Sequence, residues 1–238
     1  MNTIQYLDLG LSEYGETWER QELLMKGIID QKLVNQQLPE AERIQTGGYL
    51  LLVEHLPVYT LGKSGETHNL LLSNAQLADK KISFYKTNRG GDITFHGPGQ
   101  LVGYPILDLE NFGIGLRQYI YSIEEVVILV LSHYGLTASR DPDATGVWLD
   151  SGLPTARKIC AIGVKSSRHV TMHGFALNVN TDLDYFRYIN PCGFVDKGVT
   201  SMAKELGEPL DFGQVKNSIL SCFSTVFDVR MDTSTAQK

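Results

Sequence analysis

The chain has 238 residues, 42% of them hydrophobic, and a formal net charge of −6; this fits one large α/β domain with a substantial core and excludes general condensation onto nucleic acid. No run approaches the ~18 uninterrupted apolar residues that span a bilayer, and MNTIQYLDLG lacks the basic start and apolar stretch of a secretion signal. Three cysteines, an odd count, argue against a disulfide framework and for a reducing compartment, so a cytoplasmic protein is expected.

Ile4 to Leu9 alternates like a short strand. From about Tyr14 to Leu33, Trp18, Leu23, Leu24, Ile28 and Leu33 fall near helical spacing and predict an amphipathic helix. Ser12 is its expected N-cap, with Glu13 and Glu16 suited to the first turn. Tyr49 to Val53, an apolar run between Gly47-Gly48 and His55 and Pro57, predicts a buried strand. A polar loop from Lys63 to Asn69, a short helix near Asn74 to Lys80 and an alternating stretch from Ile82 to Thr87 lead into RGGDITFHGPGQ.

Gln100 to Leu107 reads as a strand, in which Pro105 predicts an edge or an irregular end. Leu116 to Tyr134 is the best helix candidate, with Ile120, Ile123, Val127 and Leu131 as its apolar stripe and Gly135 as its stop. Strand-like pieces recur at Gly146 to Leu149, Ile159 to Val164 and Phe175 to Val179. A short helix from Leu183 to Tyr188 precedes the Pro191-Cys192-Gly193 turn. A terminal helix runs from about Phe212 to Phe227, and the tail MDTSTAQK, residues 231–238, reads as frayed. Strands and helices interspersed without a strict βαβ rhythm, repeat or linker predict an α/β (α+β) fold. It is a single domain over 1–238, core about 1–206, with mixed β-sheets flanked by helices.

Arg89-Gly90-Gly91-Asp92 and Gly97-Pro98-Gly99 bracket Ile93-Thr94-Phe95-His96. Glycines let backbone approach a ligand, and the fork of Arg89 suits an anionic or carbonyl group; a hairpin with demanding turns accounts for the same glycines. Neither a Walker loop nor a dinucleotide fingerprint is present. Cys192, between Pro191 and Gly193, sits as an exposed nucleophile or a structural thiol would, and a nearby cation or base would activate it. Cys222 reads as a small core side chain. Lys158 opens the apolar run Ile159-Cys160-Ala161-Ile162-Gly163, where lost hydration favours proton acceptance; a snorkelling strand-end lysine is the alternative. Alternation places Cys160 on the same face as Lys158, a competing nucleophile. His96 and His173 each precede a glycine and suit a pocket wall, but their spacing matches no zinc motif and no metal is expected. From Ser151 to Thr181 there is no acid, while Arg157, Lys158, Lys165 and Arg168 fall inside, a segment able to attract an acidic partner.

Taken together, RGGDITFHGPGQ with Leu101-Val102-Gly103-Tyr104-Pro105, Lys158 to Gly163, His173 to Asn178, and Pro191-Cys192-Gly193 with Val199-Thr200-Ser201 resemble the lipoyl(octanoyl) transferase family. The resemblance runs from the first strand to about Leu206. It implies a fold similar to the catalytic domains of biotin and lipoate protein ligases. It also implies octanoyl transfer from octanoyl-acyl carrier protein to lysines of lipoyl domains, in 2-oxoacid dehydrogenase complexes and the glycine cleavage H protein. Carried over by position, Cys192 becomes the acyl-thioester nucleophile and Lys158 its acid/base partner. Arg89, Gly90, Gly91, Asp92, Ile93, Thr94, Phe95, His96, Ala161, Ile162, Gly163, Gly174, Phe175 and Ala176 become the walls of the acyl site. The same resemblance implies no cofactor, ATP or metal, and no nucleic-acid or membrane partner. The basic segment around Lys158 then gains a use in docking acidic carrier and lipoyl domains. An ATP-dependent lipoate-protein ligase and a non-catalytic acyl-binding protein are the competing readings.

Overall fold

Strands and helices follow one another irregularly along the computed structural model, which describes residues 1–190 and 198–234. In chain order these are β1 (Asn2–Ser12), α1 (Tyr14–Gln36), β2 (Gly48–His55), β3 (Val58–Leu61), α2 (Asn74–Asp79), β4 (Ser83–Lys86), β5 (Ile93–His96) and β6 (Gln100–Leu107). They continue with α3 (Leu116–His133), β7 (Ser139–Asp141), β8 (Ala144–Leu149), β9 (Arg157–Ser167), β10 (Val170–Asn178), β11 (Gly198–Val199), α4 (Met202–Leu206), α5 (Phe212–Phe227) and β12 (Val229–Asp232). Among the described residues, a large sheet runs β12-β1-β2-β6-β10-β9-β8-β7 with β11 beside β9, and a small one runs β4-β3-β5. The large sheet is mixed: β1 lies parallel to β12 and β2, while the path from β2 to β7 is antiparallel. This is the α/β arrangement of mixed sheets flanked by helices that the sequence predicts.

Side-chain alternation gives the large sheet two apolar faces. Leu50, Leu52, Leu101 and Leu177 pack with Ile123 and Val127 of α3 and with Ile219 and Phe223 of α5. On the other face, Leu51, Val53, Val102, Tyr104 and Ala176 meet Met25 and Ile28 of α1. The small sheet has its own cluster, where Tyr59, Leu61 and Phe95 join Leu77 of α2 and Ile189. Each such side chain, fully buried, contributes about 1.5–3 kcal/mol, so burial rather than helix propensity holds the layers together. No helix of the described residues is long and apolar enough to cross a membrane.

Four expectations change. Ser12 does not cap α1: it is paired with His55 at the end of β1, its Oγ donates to the Leu9 carbonyl at 2.7 Å, and Glu13 takes the N-cap position. α1 turns Tyr14, Thr17, Gln21, Met25, Ile28 and Lys32 inward, leaving Leu23 71% exposed and Leu33 at the surface. That stripe includes polar residues because each finds a partner: Lys32 pairs with Asp108 and Glu110, and the Gln21 Oε1 accepts the His173 N–H. Pro105 lies in an interior strand opposite Leu50, so of the two alternatives the edge is not seen, while the irregular end is, because the ladder to β10 stops at Gly103. Its carbonyl accepts from Thr171 Oγ1 of β10, so its ring nitrogen also faces β10, where the ladder has ended at Gly103 and no N–H is required. The tail is tied down through Asp232, since β12 pairs with β1 from Asn2↔Val229 to Gln5↔Asp232.

Candidate active site

Residues from both sheets line a cavity of about 410 Å³. β9 contributes Lys158, Ala161, Ile162 and Gly163, and β10 contributes Gly174, Phe175 and Ala176. Arg89, Gly91, Asp92, Ile93, Thr94 and His96 face it from the other side. The expected wall residues therefore converge, with two differences. Phe95 is turned into the small-sheet cluster, stacked on Tyr185 at 4.4 Å between ring centroids, while its neighbours Thr94 and His96 line the cavity. Gly90 acts through its backbone, donating its N–H to the Val164 carbonyl of β9 at 2.9 Å.

The glycines serve backbone-to-backbone contact. A Cβ on Gly62 would lie 2.2 Å from the Gly91 carbonyl oxygen, and one on Gly163 would lie 2.9 Å from that of Gly90. Gly91 itself has φ +86, a conformation costly for other residues. Arg89 is buried, and its fork does bind carbonyls, but those of its own chain. Nη2 donates to the Thr60 carbonyl at 2.6 Å, Thr60 Oγ1 at 2.9 Å and the Asp92 carbonyl at 2.8 Å, and Nη1 donates to the Gly90 carbonyl at 3.0 Å. Arg89 lines the cavity, and its fork also serves as an internal pin for the RGGD loop.

Beside it lie three buried imidazoles. Gln100 Nε2 donates to the Phe95 carbonyl and to Asn178 Oδ1, leaving its Oε1 to accept from His96 Nδ1 at 2.7 Å. His55 Nδ1 donates to the Ser12 carbonyl, so its Nε2 accepts from the Tyr104 hydroxyl at 2.8 Å. Burial pushes the His55 pKa down to about 4 and, with Arg89's charge adding to it, that of His173 to about 3. His96 is held well below its usual value, first by burial and then by His55. All three are neutral at neutral pH. His173 also has φ +58 in mid-strand, held by Gln21 at its N–H and by Asn88 at Nε2. Strained backbone of this kind costs about 1–3 kcal/mol and clusters at functional sites.

Lys158 opens onto the cavity with its Nζ 4.7 Å from the centroid of the Trp148 ring. Cys160 does not share its face. Pairing passes from Val147↔Cys160 to Trp148↔Lys158, so β9 carries one extra residue, a β-bulge that breaks alternation. Cys160 is turned into the core, where burial pushes its thiol pKa up and disfavours the nucleophilic thiolate. Cys192 lies outside the described residues. The residues on either side of its segment, Ile189 before and Gly198 and Val199 after, line the same cavity. β11 runs parallel to β9 with Val199 opposite Lys158, and the Thr200 N–H donates to the Lys158 carbonyl at 3.0 Å.

The basic segment is less basic than the sequence implies. Arg157 is bound at 2.6 Å by both oxygens of Glu205 and at 2.5 Å by Asp150; of the rest of that set Arg168 is exposed and Lys165 half-buried. Tyr14, Gln100, Tyr104, Asp143, Trp148 and Asn178 also line the cavity and escape residue-by-residue reading. Gln100 and Asn178 sit inside recognised motifs; Tyr14 is brought in only by the docking of α1.

The family model described as the lipoyl protein ligase A/B catalytic domain matches residues 14–224. The chain is 55% identical over 227 residues to the octanoyltransferase of Flavobacterium psychrophilum, covering 95% of this chain and 97% of that one. It is 52% identical over 229 residues to that of Christiangramia forsetii, covering 96% and 97%. A solved bipartite lipoate protein ligase from Thermoplasma acidophilum shares the fold, with a TM-score of 0.71 at 15% identity over 100% of this chain and 88% of its own. With about half its residues shared over nearly its full length with enzymes named octanoyltransferase, the chain belongs to the lipoyl protein ligase A/B catalytic-domain family and is an acyltransferase.

Proposed function

We propose that this enzyme moves an octanoyl group from octanoyl-acyl carrier protein to a lysine of lipoyl domains, through a thioester on Cys192 with Lys158 as acid and base. The acceptors are the lipoyl domains of 2-oxoacid dehydrogenase complexes and the glycine cleavage H protein. In the first half-reaction the Lys158 amine takes the Cys192 proton and the thiolate attacks the carrier's thioester carbonyl. A new C–S bond forms, the bond to phosphopantetheine breaks, and Lys158 returns the proton to the departing thiolate. In the second half the acceptor amine attacks the Cys192 thioester and gives its proton to Lys158. The C–N bond forms, the C–S bond breaks, and the proton passes to the Cys192 sulfur. Splitting the transfer this way predicts ping-pong kinetics. Thioester exchange is nearly balanced and amide formation runs downhill, so the scheme uses no ATP, metal or cofactor.

One observation carries this reading: Lys158 and both flanks of the Cys192 segment, Ile189 and Gly198-Val199, border a single cavity of about 410 Å³, within the roughly 300–1,000 Å³ of small-molecule sites. Intact mass spectrometry after mixing with octanoyl-carrier protein tests it. One hydroxylamine-labile octanoyl adduct, absent in Cys192→Ala and present in Cys160→Ala, is the expected result. An octanoyl-adenylate formed from free octanoate and ATP, with no adduct on Cys192, replaces it with a ligase mechanism.

A further inference from the structure

The last described residues before Cys192 are paired with the connection between β3 and α2. Leu70 bridges Ile189 in antiparallel sense, and the Leu71 N–H donates to the Tyr188 carbonyl at 2.9 Å. The Asn190 N–H donates to the Asn69 carbonyl at 2.7 Å. Asn69 is 3% exposed and is fixed at its side chain too, its Nδ2 donating to both carboxylate oxygens of Asp92 at 3.0 Å. Asp92 is set in turn by the RGGD loop. Its Oδ1 accepts the Ile93 N–H at 2.6 Å, and its carbonyl accepts from Arg89 Nη2 at 2.8 Å and from the Gly62 N–H at 3.2 Å. The bare Gly65 leaves room for this carboxylate, since a Cβ there would lie 2.4 Å from Oδ1.

We propose that Asn69 is a positioning residue for Cys192, joining the Asp92 carboxylate to the chain that carries the thiol. The anchored N–H of Asn190 stands two residues ahead of Cys192, with Pro191 between. A proline fixes its own φ and restricts the residue before it, so few free rotations separate anchor from sulfur. Hydrogen bonds to a carboxylate are stronger than neutral ones, and two acceptor oxygens hold the amide of Asn69 against rotation. The RGGD loop thereby orients the carbonyl that receives Asn190. A misplacement of about 1 Å can cost roughly a hundredfold in rate, so an anchor this near the thiol governs turnover more than binding.

This rests on the nucleophilic role given to Cys192 above, and the test separates the two. Asn69→Leu keeps the volume, removes the donor and lowers kcat for octanoyl transfer about tenfold, with the carrier-protein KM unchanged. The pH profile of Cys192 alkylation by iodoacetamide moves with it, toward the ~8.5 of a free cysteine. Asn69→Asp has the same effect by setting two carboxylates face to face. Adding Asp92→Asn to it restores the amide–carboxylate pair with roles exchanged, and most of kcat and the wild-type alkylation profile return. This exchange, compared with Asn69→Asp alone, serves if the leucine variant fails to fold. Folded Asn69→Leu turning over at the wild-type rate while Cys192→Ala is inactive overturns the anchor alone. So does an exchange that recovers nothing, which assigns the Asp92 carboxylate a direct contact with substrate. Wild-type transfer by Cys192→Ala overturns the thioester reading, and the anchor falls with it.

Discussion

Replacing Arg89 by methionine keeps an unbranched stem of similar length and removes every donor. Two of the acceptors it serves, the carbonyl and Oγ1 of Thr60, are buried with it, and a buried acceptor left without its donor costs about 1–3 kcal/mol. The Gly90 and Asp92 carbonyls are only partly buried and can recover a partner from water. Against the roughly 2–6 kcal/mol from Thr60 stands the desolvation of the guanidinium, which the variant no longer bears. The net loss is about 2–4 kcal/mol, or roughly 5–15 °C in Tm for a domain of this size. Thermal unfolding followed by circular dichroism reads it. A variant that melts with the wild type yet shows a raised KM for octanoyl-carrier protein refutes this accounting and makes Arg89 a ligand-binding group.

His55 and His173 titrate in the folded protein at about 4 and about 3, below the usual 6.5, because burial disfavours the cation. Protons therefore bind the unfolded chain first, and stability present above pH 6.5 falls as pH drops toward 4, at about 1.4 kcal/mol per unit for each histidine; a urea midpoint level between pH 7 and 4.5 contradicts this, and His55→Gln should flatten the slope. Cys160→Ala should retain wild-type octanoyl transfer and lose about 1 kcal/mol of stability; loss of the adduct in a folded variant would return Cys160 to candidacy as nucleophile. With Arg157 committed to Glu205 and Asp150, docking of acidic partners should depend on Lys165 and Arg168. The double Lys165→Glu, Arg168→Glu variant should lower kcat/KM for the carrier protein and flatten its salt dependence, and unchanged salt slopes in both proteins would remove electrostatic steering from the scheme.

Much of this fold is legible where burial is one-sided and long. α3 and α5 occupy nearly the spans their apolar stripes indicate, and Gly135 ends α3 with φ +76. What resists reading is set by tertiary pairing. β3 is four residues long and exists because β4 and β5 flank it, and β12 takes its order from β1. The first half of β10, Val170 to Gly174, contains a histidine at positive φ that no strand propensity favours, held by Gln21 from α1 and Asn88. Within the site, the ordered motifs indicate which segments meet, and most of their residues line one cavity. The bulge that separates Lys158 from Cys160 leaves no trace in the alternation KICAIG, because inserting one residue changes facing without changing composition. Likewise nothing in RGGD tells whether the arginine serves a ligand or its own loop; that depends on Thr60, 29 residues away.

The way these polar groups are satisfied bears on what the cavity accepts. By composition its wall carries Arg89, His96 and Gln100, which in a nucleotide-activating enzyme would be natural partners for phosphate or carboxylate. Here the guanidinium is bound by its own loop and Thr60, His96 is locked to Gln100, and Gln100 is locked to Phe95 and Asn178. A ligand entering beside them would have to break those bonds to gain equivalent ones, with no net advantage over water. Aliphatic and backbone surface from Val102, Ala161, Ile162, Gly174 and Ala176 demands no such exchange, and burying an acyl chain against it gains about 0.8 kcal/mol per methylene. The proposed octanoyl thioester has that form: an apolar chain with its reactive carbonyl at one end, matching a cavity in which Lys158 lies among the cavity-lining residues beside β11.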